Sequence, residues 1–394
     1  MNIRKITFGN FKSLYNAAFE PGKVNVFIGA NGSGKTTILE AIGLLSAAMT
    51  DRVDSSSLQR KGVRLSIPSL YKSSFKDLKR QRSIIDLSLE WEDDCCTDKF
   101  RYDVHLTTPT DTDYWKYHSE AFLQNGEKIW GRSNASQQQS NSYIGFFLID
   151  NDPELTTGRK IAEDFSSYGI FQPNTLTLRG TIPDPNQVSP VGLNGGRLAE
   201  AIRTLIHEND GDLFFGNLYM DDILDMIDWA SDISVDTPKK TTINANIPTT
   251  RQVIEFTDRY MKDTARFTGY DASEGALYVL FMLTLAMHPM GPSIFSVDSF
   301  DHALNPRLAK KMIQVFCEQI IQNNKHVFLT THNPLVLDGL DLQNDDIRLF
   351  AVDRDSNGYA QIRRISVSQE LIDEGLPLSR LWISGRLGGV PSLL

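Results

Sequence analysis

The sequence predicts an α/β protein whose core is divided by a long middle segment, and three observations carry that prediction. The run "VNVFIGANGSGKTTILEAI", from Val24 to Ile42, leads from an apolar strand signal through a glycine-rich turn into a helix signal. The last third of the chain alternates helix and strand signals. From about Asp51 to Tyr270 the pattern changes to period-two strand signals, a polar loop and then helix signals. With 394 residues, 41% hydrophobic and 23% charged, the chain can bury a full core, as one large domain with an insertion or as two domains.

Element by element, "IRKITFGNF" and "KVNVFIGA" predict strands, and "KTTILEAIGLLSAAM" predicts a helix. In the middle, "SIIDLSLEWEDD", "KFRYDVHLTT" and "EAFLQNGEKIWG" predict antiparallel strands, and "SNASQQQSNS" a polar loop. "NGGRLAEAIRTLIHE", "DDILDMIDWAS" and "TTRQVIEFTDRYMKDTARF" are expected to be helices. The end of the chain predicts helix "SEGALYVLFMLTLAMH", strand "SIFSVD", helix "PRLAKKMIQVFCEQIIQ", strand "KHVFLTT" and the strand pair "IRLFAVDRD" and "AQIRRISV". The expected division is residues 1–50, an inserted subdomain over 51–270, and a returning lobe over 271–394. No internal repeat or long heptad pattern is present.

The net charge of -9 argues against a protein that coats nucleic acid by bulk electrostatics, so any DNA contact is expected to be focal or made by a partner. Cys95, Cys96 and Cys317 show no metal-ligand spacing and are expected to be reduced thiols. The sequence shows no signal peptide and no long apolar run, which predicts a cytoplasmic protein without a membrane segment. The basic cluster "SSFKDLKRQR", Ser73 to Arg82, is either a solvated face or a contact surface.

Chemistry concentrates in "GANGSGKT", Gly29 to Thr36, which matches GxxxxGK[ST] in full and lies between a strand and a helix. In such a loop the backbone N–H groups of Asn31, Gly32, Ser33 and Gly34 face phosphates. Lys35 reaches the β- and γ-oxygens, Thr36 ligates Mg²⁺, and Thr37 follows in the helix. ATP and Mg²⁺ are therefore the expected ligands. "SIFSVDSFDHALNP" delivers Asp298 to a strand end, where a carboxylate holds Mg²⁺. His332, at the end of "HVFLTTHNP", either meets the γ-phosphate or attacking water, or is structural.

Taken in order, "NFKSL", "GANGSGKTT", "DASEGALYVLFMLTLA", "VDSFDHALNP" and "LTTHNPLVLDGL" resemble the motifs of ABC-type ATPase heads of the RecF, SMC and OLD group. The resemblance implies an ABC-type (RecF/SMC-like) P-loop ATPase head with an inserted β-strand and helical subdomain. It also implies a homo-oligomer in which Ser273 and Gly275 of the signature helix meet the nucleotide of a second copy. By the same resemblance Lys12 reaches toward phosphates and Asn305 lies in the loop crossing the dimer interface. A glutamine that senses Mg²⁺ is expected, with Gln172 as candidate and Gln137 to Gln139 as rivals.

One departure matters: where the group has Asp-Glu, this chain has Asp298 followed by Ser299. A serine cannot position or deprotonate water as a glutamate does, and Asp301 is the remaining nearby carboxylate. Binding with slow or absent hydrolysis is expected. Within the group the chain looks most like the PtuA-type subunit of Septu anti-phage systems, which is paired with an HNH nuclease. The sequence has neither an appended TOPRIM nuclease nor long SMC arms, so an effector is expected in a partner. The alternative reading is a RecF-like DNA-repair ATPase that hydrolyses ATP on DNA; a transporter ATPase fits poorly. The tail "LSRLWISGRLGGVPSLL" either resembles those of stand-alone ATPases with a separate nuclease or folds back on the core.

Overall fold

The structure, a computed structural model, describes residues 2–50, 52–92, 98–110, 112–133, 140–142, 156–244, 246–262, 266–366 and 375–390. Strands β1 (Asn2–Gly9), β2 (Ala17–Phe19) and β3 (Val24–Ile28) precede helices α1 (Lys35–Thr50), α2 (Ser55–Arg60) and α3 (Pro68–Tyr71). A meander follows: β4 (Ile84–Glu92), β5 (Lys99–Thr107), β6 (Lys116–Gln124) and β7 (Glu127–Ser133). Asn125 and Gly126 both take positive φ, as the tight turn between β6 and β7 demands.

The chain then runs through α4 (Thr156–Ser166), β8 (Ile170–Phe171), α5 (Thr175–Leu178) and α6 (Leu198–Leu205). Next come β9 (Ile206–Asn209), β10 (Asp212–Phe215), β11 (Leu218–Tyr219), α7 (Met220–Met226), β12 (Ala230–Asp236), β13 (Val253–Asp258) and β14 (Arg266–Thr268). The final part holds α8 (Glu274–Met287), β15 (Ile294–Val297), α9 (Pro306–Gln322), β16 (His326–Thr330), α10 (Pro334–Leu337), β17 (Ile347–Arg354), β18 (Ala360–Ile365) and α11 (Leu378–Ile383).

Two six-stranded sheets organise these elements. One is antiparallel, in the order β2-β1-β4-β5-β6-β7; the other runs β18-β17-β3-β16-β15-β8 and is parallel except for the β17–β18 pair. Side chains on β3 alternate faces. Val24, Val26 and Ile28 join a core with α8 and α9, whereas Phe27 joins a second core with α1 and the antiparallel sheet. The central sheet is therefore buried on both sides. Helix α8 is buried over Ala276–Met287, the pattern of a helix enclosed by protein, and its run of apolar residues is core packing.

Three expectations change. Among the described residues of "TTRQVIEFTDRYMKDTARF" the expected helix is absent; Val253–Asp258 is β13, paired with β12 and β14, because β-branched and aromatic residues fill a pleated surface there. The helix expected over "NGGRLAEAIRTLIHE" covers only Leu198–Leu205 before β9 begins, and that over "DDILDMIDWAS" is confined to Met220–Met226. Strand β4 hydrogen-bonds directly to β1, so residues on both sides of residue 50 share one sheet. Gln137 to Gln139, Cys95 and Cys96 lie outside the described residues, while Cys317 is buried.

Candidate functional site

Four parallel strands bring their carboxyl ends together, which is where open α/β sheets present ligand sites. Adjacent in the order β3, β16, β15, β8, they end beside Gly29, Thr330, Asp298 and Gln172. Sequence separation disappears here, because residues from distant segments share one sheet edge.

Gly32 (φ +75°) and Gly34 (φ +119°) take backbone conformations that favour glycine, and this curls the loop around the N-terminus of α1. An added Cβ at Gly29 would lie 2.4 Å from the Val352 carbonyl, so only glycine fits against β17. Lys35 is buried and its Nζ donates to the carbonyls of Gly29 (2.7 Å) and Ala30 (3.1 Å). Burial lowers its pKa to about 8, against the opposing pull of Asp298 and Asp301. Asn31 and Gly32 are exposed, and the buried Ser33 hydroxyl makes no hydrogen bond with any of the described residues. Thr36 and Thr37 are half-buried at the helix start.

Asp298 is the hub. Its carboxylate accepts from Thr36 Oγ1 (3.0 Å), Gln172 Nε2 (2.9 Å) and Thr330 Oγ1 (2.5 Å). Thr36 and Asp298 thus set a hydroxyl and a carboxylate side by side, hard oxygen donors that suit Mg²⁺ beside bound phosphates, and Gln172, which turns its amide nitrogen to Asp298 here, carries an amide oxygen as a further donor. The positive-φ loop, the lysine and this donor set fit an ATP–Mg²⁺ pair.

Ser299 follows with φ +62°, a strained conformation for a non-glycine residue, and its N–H is held by Thr330 Oγ1 at 2.8 Å. Asp301 accepts from Thr331 Oγ1 (2.7 Å) and from the His332 N–H (3.2 Å), so its carboxylate braces the turn that carries the histidine. His332 has its imidazole pushed below the ordinary value by partial burial and by Lys35, despite Asp301 and Asp298. A neutral ring there can accept a hydrogen bond from water.

The remaining residues are placed elsewhere. Lys12, at φ +50°, forms a 2.6 Å ion pair with Glu40, a buried residue of α1 that also binds Arg64 at 2.7 Å. The expected phosphate-seeking lysine is thus tied to a helix. Ser273 caps α8 by accepting from the Ala276 N–H, and an added Cβ at Gly275 would stand 3.2 Å from the Ala303 carbonyl. Asn305 caps α9 through the Leu308 N–H. Among the described residues no hydrogen bond or ion pair joins Ser273, Gly275 or Asn305 to Gly29–Thr36 of the same chain.

Sequence reasoning missed Thr330, Arg64, Glu40 and Arg354, whose Nε donates to the Gly32 carbonyl at 2.8 Å. Only Thr330 carried a signal, as the polar end of an apolar strand. The charge of Asp298 is felt at the Arg64 guanidinium, whose pKa is raised chiefly by its hydrogen bond to Glu40.

Two family models match the chain. One, described as "AAA ATPase domain", covers residues 1–146; the other, "AAA domain, putative AbiEii toxin, Type IV TA system", covers residues 181–338. The DNA replication and repair protein RecF of Phocaeicola vulgatus is 36% identical over 76 residues, 18% of this chain and 20% of that protein. The RecF of Renibacterium salmoninarum is 44% identical over 55 residues, 14% of each chain. The aligned stretches therefore span a fifth or less of those relatives.

Among solved structures, an Smc head bound to the C-terminal winged-helix domain of ScpA superposes with a TM-score of 0.55 at 13% identity, covering 94% of this chain and all of that one. An Smc head with an extended coiled coil, bound to the C-terminal domain of ScpA and derived from Pyrococcus furiosus, gives 0.50 at 13% identity, covering 98% and 99%. No helix among the described residues is long and apolar enough to cross a membrane. The chain has the fold of the Smc heads, an ABC-type P-loop ATPase α/β fold.

Proposed function

We propose that this protein is an ATP-holding head that binds ATP with Mg²⁺, hydrolyses it slowly or not at all, and uses occupancy to set the state of a larger assembly. The observation that carries the reading is the turn after Asp298. Its next residue is Ser299, fixed in a left-handed conformation by Thr330, and the nearest following carboxylate, Asp301, is engaged by Thr331 and the His332 backbone. Loss of a water-orienting carboxylate lowers transition-state stabilisation and leaves ground-state binding to Lys35, Thr36 and Asp298 in place. When bound, Mg²⁺ offsets phosphate charge; Thr36, Asp298 and Gln172 would hold it.

Ser273 and Gly275, which no hydrogen bond among the described residues joins to the chain's own P-loop, meet a nucleotide held by a second copy. A homo-oligomer closing head to head follows. The resemblance to PtuA-type subunits supports a regulatory role in anti-phage defence beside a separately encoded HNH nuclease, and a matching family description that names a toxin–antitoxin system supports a multi-component setting. The short RecF matches favour the second reading, a DNA-repair ATPase that turns over on DNA.

Light scattering of the purified protein tests the assembly claim. ATP with Mg²⁺ is expected to raise the mass of the particle, and Ser273→Arg and Lys35→Ala to prevent it. Retention of an HNH nuclease in co-purification supports the defence reading; stimulation of turnover by duplex DNA with no such partner supports repair.

A further inference from the structure

The segment after β18 reaches the P-loop, although it belongs to none of the motifs. Helix α11 is fastened first: the Ser379 N–H and hydroxyl donate to the Asp338 carboxylate at 2.8 and 2.7 Å, and Asp338 caps α10, the helix that begins just after His332. Leu381, Trp382 and Leu387 are buried in the core. Gly389 then lies directly against Gly29. A Cβ on Gly389 would stand 3.3 Å from the Gly29 Cα and 3.4 Å from both the Gly29 nitrogen and the Ile28 carbonyl.

Several polar contacts fix that approach. The Gly389 N–H donates to both oxygens of Asp353 at 3.0 and 3.1 Å, the Trp382 indole donates to the Gly389 carbonyl at 3.4 Å, and Arg363 donates to the Leu387 carbonyl at 2.6 Å. Gly29 is therefore enclosed by Val352, Ser33 and Gly389. Its carbonyl is the shorter of the two acceptors that hold Lys35, and the next residue of β17 after Asp353, Arg354, holds the Gly32 carbonyl. A shift at Gly389 is transmitted to the lysine that meets phosphate, because the backbone contact leaves no slack.

We propose that residues 378–390 brace the P-loop and that Asp353 and Gly389 are positioning residues for nucleotide binding. The segment also couples the P-loop to α10, so the His332 end of the site and the lysine end share one support. This rests on the reading of the P-loop as an ATP-holding site.

Binding of ATP with Mg²⁺ is measured by calorimetry on wild type, Gly389→Ala and Gly385→Ala. Gly385 (φ +78°) is in the same segment, and its added Cβ would meet only the Val390 side chain at 3.4 Å, so it reproduces the backbone strain without touching the P-loop. Gly389→Ala is expected to bind roughly tenfold more weakly, and Gly385→Ala within about twofold of wild type, with equal Tm changes in the nucleotide-free protein. Asp353→Ala is expected to weaken binding similarly, and Asp353→Asn, which keeps an oxygen acceptor for the Gly389 N–H, to fall between it and wild type. This pair decides the matter if Gly389→Ala fails to fold.

Equal effects of the two glycine variants, or an unchanged affinity in Gly389→Ala and Asp353→Ala, overturn the brace and leave the ATP-holding reading standing. If wild type and Lys35→Ala are alike in failing to bind ATP, both fall.

Discussion

Lys35 sits between two demands, a buried loop that disfavours its charge and a ligand that requires it. Its pKa is lowered by burial from 10.5 to about 8. Between about pH 8 and 10.5 the unfolded chain binds more protons at this lysine than the folded one, so its contribution to stability rises with pH across that window. Nucleotide binding runs the other way. Phosphates select the protonated amine, so ATP affinity is predicted to fall as pH rises through about 8, with proton uptake near pH 8.5. Calorimetry in buffers of different ionisation heat checks this; affinity independent of pH over that range would contradict it.

A second prediction concerns Asp298, which gathers Thr36, Gln172 and Thr330. Asp298→Asn is predicted to reduce the gain in ATP affinity given by Mg²⁺ by about 10–100-fold while sparing metal-free binding. A magnesium titration of ATP affinity separates the two. The P-loop and Asp298 were legible in the sequence because each motif is a run of consecutive residues at a strand end. Thr330, Arg64 and Arg354 were not, because their relation to the site exists only once distant strands align.

Helix α1 joins the site to the antiparallel sheet. Its buried Glu40 binds Lys12 from the loop after β1 and Arg64 from the segment after α2. Lys12→Ala removes the better-buried partner while Arg64 still pairs with Glu40, and is predicted to cost about 2 kcal/mol of stability, read by urea denaturation. If Lys12 were mainly a phosphate contact, the same variant would lose ATP affinity with stability intact.

Elements with a long, single-period pattern were readable, α1, α8 and α9 among them. The run around Val253–Asp258 was not, since its few buried residues suit helix or strand over so short a length. Pairing with β12 and β14 decides it, through contacts such as Glu255 with Arg266 across the strands.

At the scale of the whole molecule, the chain's two ends and part of its middle build two six-stranded sheets and the two cores that flank the P-loop sheet. Strands β4 to β7 extend the sheet that β1 begins, and β8 completes the sheet that carries the P-loop. In that arrangement Ser273 and Gly275 stand at the start of α8, and among the described residues no hydrogen bond joins them to the chain's own P-loop. Sequence order could rank the motifs but could not show which strands share a sheet.

The central claim is that the site holds ATP and lacks the group that would hydrolyse it quickly. Steady-state turnover of ATP with Mg²⁺, alongside equilibrium binding, tests it in wild type, Ser299→Glu and Lys35→Ala. Wild type is predicted to bind ATP with little turnover, Ser299→Glu to raise turnover by about 10²-fold or more, and Lys35→Ala to lose binding. Rapid turnover by wild type that Lys35→Ala abolishes and Ser299→Glu does not increase would contradict the account and assign the water-orienting role to Asp301 or His332.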